Sequence, residues 1–457
     1  MSAGASADAI AAATPAARDR YVDFLRVAAL GGVILGHFVM AVVVWSPGSA
    51  VSFTNILAIE PWTRWGTLLL QVMPVFFAVG GFAHAVAWRS TTRRGGGYAD
   101  FAAARIGRLV RPALVYVGTW MMLGLVIDLV WRDAMGPVLQ ILGQLLWFIG
   151  IYLIAAGLAP LTLRAHERWG ARALVSLVAL AAAVDLLRLA AGVDGVKWLN
   201  FAFVWLAIHQ LGYFYADGTV DRYGARRVGW AMLGGGTAGL VALAVLGPYG
   251  VSMVSYDGET LSNLAPPTVG LLAFGVAQAG AVLLLRERAT RWLARPGVWR
   301  AVVVGGSVAM TAFLWHFTAL VAVNGAYWWL GPATSPVGGS PGWWWLKVAM
   351  LVPFLALVLI LVVAFRRFDR PPARSQVAGP STWRAAVAGL GVASAVVGMI
   401  GFAAVGFRGV VELTVVRVVG VPMTAVSAAL FVAASAVFTA VAARPDRTTA
   451  EAPRALA

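Results

Sequence analysis

The 457-residue chain has no cysteine, only 12% charged residues and only 19 acidic ones. Without cysteine there is no disulfide, thiolate metal site, iron–sulfur cluster or cysteine acyl-enzyme. Soluble proteins carry roughly 25% charged residues. A chain this poor in charge, 60% hydrophobic and with mean hydropathy +0.81, belongs in a lipid bilayer. The start of the chain also lacks a basic region followed by a short apolar core, so no cleavable signal is expected. Residues 1–17 are Ala-rich and polar and read as a disordered cytoplasmic tail.

What the chain does have is long apolar runs. A helix needs ~20 apolar residues to cross a core ~30 Å thick. Twelve segments qualify, near 22–44, 65–88, 111–131, 137–160, 172–190, 197–216, 228–247, 267–285, 301–323, 344–365, 384–406 and 419–442. The expected fold is therefore an all-α polytopic bundle with about twelve transmembrane helices. Most of the 35 Lys and Arg fall in segments that share one side if the N-terminus is cytoplasmic, among them 89–111, 286–300 and 366–384. This positive-inside bias accounts for the net charge of +16 and places both termini in the cytoplasm. No nucleic acid is expected as a partner; membrane lipid is. The outer loops 247–267 and 324–345 are long, nearly free of positive charge and rich in Trp and Tyr. Such rings suit the membrane interface, and an acceptor arriving from outside would also meet them.

FLRVAALGGVILGHF (24–38) carries two residues foreign to a span, Arg26 and His37. At about 100° per residue they lie within ~20° of one face, with His37 ~16 Å further along, and Asp23 falls within ~40° of the same face. With Arg26 at the cytoplasmic interface, His37 is expected near the midplane, where an ionisable group is a functional candidate by default. A snorkelling arginine and a histidine bonded to a neighbouring helix remain the plainer alternative. Arg105, Arg108 and Arg111, with Pro112 directly after them, form a cluster at the expected start of the third span. Three guanidiniums there suit a phosphate or anionic lipid. Gly80-Gly81 in PVFFAVGGFAHA (74–85) lets another helix approach closely. Gln71, His84, Gln144, Asp185, His209, Gln210 and His316 are further polar groups in or at the ends of spans, mostly expected to bond between helices. Of these, His316 in MTAFLWHFTA (310–319) is the candidate to line a cavity, and Gln71 and Trp147 are further candidates for a cavity or acceptor contact. In SNLAPP (262–267), Asn263 is a candidate for the acceptor entrance, against a simple helix-initiating turn at Pro266 and Pro267. No metal site is expected. DRYGARR (221–227) resembles the basic loop of major-facilitator transporters, but it joins the sixth and seventh spans instead of the second and third, so it reads as a basic turn.

Taken in order, these residues resemble the acyltransferase 3 family of membrane proteins. The resemblance rests on Asp23 and Arg26-x10-His37 in the first helix, PVFFAVGGF in the second and R-x-x-R among Arg105, Arg108 and Arg111 in the third. LLWFIGIYL (145–153), with Trp147, in the fourth and FLWHF (313–317), with His316, complete it. Gly80 stands where the family usually has serine. The resemblance implies a ten-helix acyltransferase domain over 18–367, a cytoplasmic linker over 368–383, an added helix pair over 384–442 and a cytoplasmic tail over 443–457. It further implies O-acylation in a plasma membrane, with His37, Arg26 and Asp23 as catalytic residues and Arg105, Arg108 and Arg111 as donor-binding residues. His37, as a neutral imidazole, would be the general base. The co-substrate implied is acyl-CoA, with no bound cofactor. The acceptor implied is an extracytoplasmic carbohydrate or a related small molecule; the high Ala, Gly, Arg and Trp content suits a bacterial cell envelope. A transporter or flippase of a lipid-linked or acylated carbohydrate is the competing reading.

Overall fold

A computed structural model describes residues 14–15, 18–44, 52–131, 135–330, 336–369 and 377–444. Most of the two expected terminal tails and the middle of the 368–383 linker lie outside these residues. The main helices are α1 (Arg20–Met40), α2 (Met73–Arg93), α3 (Tyr98–Trp131), α4 (Gly136–Gln144), α5 (Leu146–Trp169), α6 (Ala171–Leu189) and α7 (Asn200–Ala216). They continue with α8 (Ala225–Leu246), α9 (Val269–Leu293), α10 (Pro296–Ser307), α11 (Ala309–Trp329), α12 (Pro341–Phe365), α13 (Thr382–Val405) and α14 (Ala425–Ala442). Two short antiparallel hairpins, β1 (Ala41–Val44) with β2 (Ser52–Asn55) and β3 (Val416–Val418) with β4 (Val421–Met423), are the only sheet among the described residues.

Among the described residues, ten segments are long and apolar enough to cross a membrane, which makes this an all-α polytopic protein. The expected fifth and sixth spans are helices, α6 and α7, but neither is among the ten. α6 carries Arg172, Asp185 and Arg188 within 19 residues, and α7 has 17 residues, or ~25 Å, short of the ~30 Å core. Other expected boundaries move for local reasons. α1 stops at Met40 and the β-branched run Val42–Val44 continues as β1. α3 starts thirteen residues before the expected 111 and runs 34 residues, straight through Pro112. At ~50 Å it exceeds the apolar core. Arg105, Arg108 and Arg111 therefore sit on its second to fourth turns, not at its first residue. The expected ninth span is broken at Val308 into α10 and α11.

The chain divides into two compact units, residues 1–83 with 162–366 and residues 84–161 with 367–457. In the first unit, glycines set the closest helix crossings. A Cβ added at Gly81 of α2 would meet the His209 carbonyl of α7 at 1.8 Å, and one at Gly212 would meet the Ala78 carbonyl at 2.0 Å. The second glycine of the Gly80-Gly81 pair thus does what a small residue in a span is expected to do. Gly236 against Ala273 and Ala277, and Gly280 against Gly229, do the same for α8 and α9.

In the second unit, α13 and α14 pack on α3 and α4. Gly143, Gly150 and Gly157 recur every seven residues along α4 and α5 and face Phe402, Ile400 and Val392 of α13. Gly391, Gly398 and Gly401 open the other side of α13 to α14. Both ends of α3 are tied in as well. Asp100 accepts from the fully buried Arg384 at 3.1 Å, and Arg384 also donates to the carbonyls of Ala442 and Gly379. Near the other end, Asp128 accepts the Val410 amide.

Two outcomes follow. Gly143→Ala, whose Cβ would fall 2.4 Å from the Phe402 carbonyl, should cost about 1–3 kcal/mol of stability; Gly118→Ala, with open space around it, should cost nothing. Thermal unfolding in detergent compares the two. Because the chain has no cysteine, single cysteines test orientation cleanly. Asp257→Cys should react with an impermeant maleimide on intact cells, and Thr92→Cys only after permeabilisation; the reverse pattern would invert the topology.

Candidate active site

His37 lies seventeen residues along α1, ~26 Å from its start and one turn before its end. Its ring meets α11. His37 Nδ1 and His316 Nε2 are 2.9 Å apart, with the two rings near parallel at 11°. Phe317 stands edge-on against both rings, 4.8 Å from each centroid. His316 is fully buried, whereas His37 is half-buried.

The hydrogen bonds fix which nitrogen carries which proton. His316 Nδ1 lies 2.5 Å from the Phe313 carbonyl, which can only accept, so His316 Nδ1 carries a proton. A neutral His316 then has a lone pair on Nε2, and His37 Nδ1 must donate to it. A neutral His37 is left with its lone pair on Nε2, for which the described residues provide no partner. The pair is thus a relay that presents one basic nitrogen.

The start of α1 is pinned differently. Asp19 caps it, accepting from the Tyr21 and Val22 amides, and the Tyr215 hydroxyl of α7 donates to the same carboxylate at 2.8 Å. Tyr21 donates to the Val282 carbonyl of α9. Asp23 is shared by two guanidiniums, Arg18 at 2.5 Å and Arg26 at 2.7 Å. Arg26 keeps a third of its side chain exposed. It lies beside Gly306, where α10 ends and the chain breaks before α11. Asp23 therefore orients Arg26 and supplies part of its counter-charge.

The remaining candidates are placed as follows. Gln71 sits in the break before α2; it donates to the Met253 carbonyl and accepts the Met73 amide, while Gln278 donates to its backbone carbonyl. Asn263 is 1% exposed and holds its own loop, donating to the Gly250 and Ser252 carbonyls and accepting from Thr268. Asp185, also buried, accepts from Asn200, Tyr249 and the Val269 amide, which opens α9. In the other unit, Arg105 is half-buried, Arg108 and Arg111 are exposed, and Trp147 is half-buried with its ring edge-on to Phe148. Among the described residues no group of three or more His, Asp or Glu could hold a metal ion. Sequence reading named His37 and His316 but not their pairing. It passed over Lys347, which reaches the last turn of α1; a lysine in the apolar run WWWLKVAM was the available signal.

A family model described as an acyltransferase domain matches residues 19–367. The chain belongs to the acyltransferase 3 family. It is accordingly a multi-pass membrane acyltransferase, and the match takes in α1 to α12 but not α13 and α14. Compared with the curated proteins and with the solved structures, the chain matches none. For this acyltransferase, His316→Leu should lower acyl transfer about 100-fold, since a loosened reacting group costs on that order. His316→Gln, which still offers an acceptor to His37, should retain a larger share. Label transferred per unit of folded protein in membranes measures both.

Proposed function

We propose that this protein is an O-acyltransferase that takes an acyl group from cytoplasmic acyl-CoA and gives it to a hydroxyl of an extracytoplasmic carbohydrate or related small molecule. The observation that carries the reading is the relay Phe313 carbonyl–His316–His37, which leaves a lone pair on His37 Nε2. That nitrogen takes the acceptor's hydroxyl proton as the oxygen attacks the thioester carbonyl. The tetrahedral intermediate then expels the coenzyme A thiolate, which recovers the proton from the imidazolium and leaves as free thiol. The His316 acceptor stabilises the imidazolium by keeping the Nδ1 proton bonded throughout. In this reading Arg26, oriented by Asp23, is a contact for donor phosphates, for which a guanidinium is well suited; the arginines of α3, in the other unit, are separate candidates for the same chemistry.

Reconstituted protein given isotope-labelled acetyl-CoA should add the acyl mass to cell-envelope glycan. His37→Ala should cut this by at least about 100-fold, the lower range for losing a general base, and Arg26→Ala should raise the donor KM. Retained transfer with His37→Ala removes the base assignment. Movement of substrate across the vesicle membrane with no donor present would instead favour a transporter or flippase.

A further inference from the structure

Lys347 lies in α12 and is 7% exposed, a cation inside an apolar span. Its ammonium donates to the Phe38 carbonyl at 3.0 Å. It also stands 5.0 Å from the Phe38 ring centroid and 5.1 Å from that of Trp343. No carboxylate is among these contacts. An ionisable group in a membrane span is expensive to keep and marks function by default, so its position needs an account.

The Phe38 carbonyl belongs to the last turn of α1. The Ala41 amide takes the His37 carbonyl, and the backbone then turns extended into β1. The final carbonyls of a helix have no following turn to bond to, and a buried one must find another donor. Lys347 is that donor, and a cation there also suits the negative end of the helix dipole. The Phe38 ring stacks on Phe354 of the same α12, 4.6 Å between centroids and 24° between planes. The last turn of α1 is therefore held on α12 at two points, while the His37 ring is held on α11 through His316.

We propose that Lys347 is a positioning residue for acyl transfer, clamping the final turn of α1 so that His37 keeps its bond to His316 and aims Nε2 at the acceptor hydroxyl. The proposal rests on His37 being the base. The clamp acts on the backbone of the residue next to His37 and contacts neither substrate. Its loss should therefore appear in kcat and leave both KM values alone.

The test uses full-length protein in liposomes, with isotope-labelled acetyl-CoA as donor and isolated cell-envelope glycan as acceptor, comparing Lys347→Met, Lys347→Arg and His37→Gln. Lys347→Met should lower kcat about 10- to 100-fold, the range for a reacting group misplaced by about 1 Å, with each KM within about twofold. Lys347→Arg, still a cation that donates to carbonyls and stacks on rings, should recover most of the loss. Should Lys347→Met fail to accumulate, Lys347→Leu, likewise without a donor, is read in the same way. Wild-type kcat in Lys347→Met, an equal loss in Lys347→Arg, or a change confined to the acceptor KM overturns the clamp. If His37→Gln is inactive while Lys347→Met is normal, the clamp alone fails. If His37→Gln turns over normally, the base reading fails and takes the clamp with it.

Discussion

A backbone carbonyl has lone pairs and no proton, and at Phe313 this simple limit sets the direction of a chain of hydrogen bonds. It assigns the proton of His316, then that of His37, and so decides which nitrogen of His37 is basic. No carboxylate is needed to orient the His37 ring, which suits a region where an ionised acid would be costly to bury. The histidine pair does with two neutral rings what a histidine–aspartate pair does elsewhere with a charge. Phe317 packs against both rings and keeps them in place.

The helices that carry this relay are positioned by contacts of a different kind. In lipid, apolar burial gives little preference for one helix partner over another, so close backbone approach and buried polar bonds decide the packing. Glycine contacts bring α2 against α7 and α8 against α9. Hydrogen bonds from Tyr215 and Tyr21 fix the start of α1 on α7 and α9. Its end is held by Lys347 and Phe354. α1 is thus secured at its first turn and its last, with Arg26 and His37 between.

Much of this was legible in the sequence, and the limits have physical causes. Helical periodicity placed Asp23, Arg26 and His37 along one face because that arithmetic needs only one helix. The late aromatic–His segment was recognisable, but a bond between residues 279 apart is a matter of tertiary packing that periodicity does not report. The breaks at Gln71 and Val308 were hidden because hydropathy does not distinguish a continuous helix from two helices meeting inside an apolar run. Asn263, read as a possible acceptor contact, has its amide fully engaged in its own loop. Lys347 went unnoticed because its target is a carbonyl, and carbonyls leave no mark on a sequence.

The ties at the two ends of α3 bear on how the protein is made. Asp100 and Asp128 find their partners 284 and 282 residues later in the chain, on and beside α13. Synthesis runs from the N-terminus, so α3 is made before its partners on and beside α13, with Asp100 holding only the nearby Gly97 amide until then. Until α13 is made, the two long-range bonds of α3 stay open. Arrival of α13 closes both bonds, so the added helix pair completes the packing of α3.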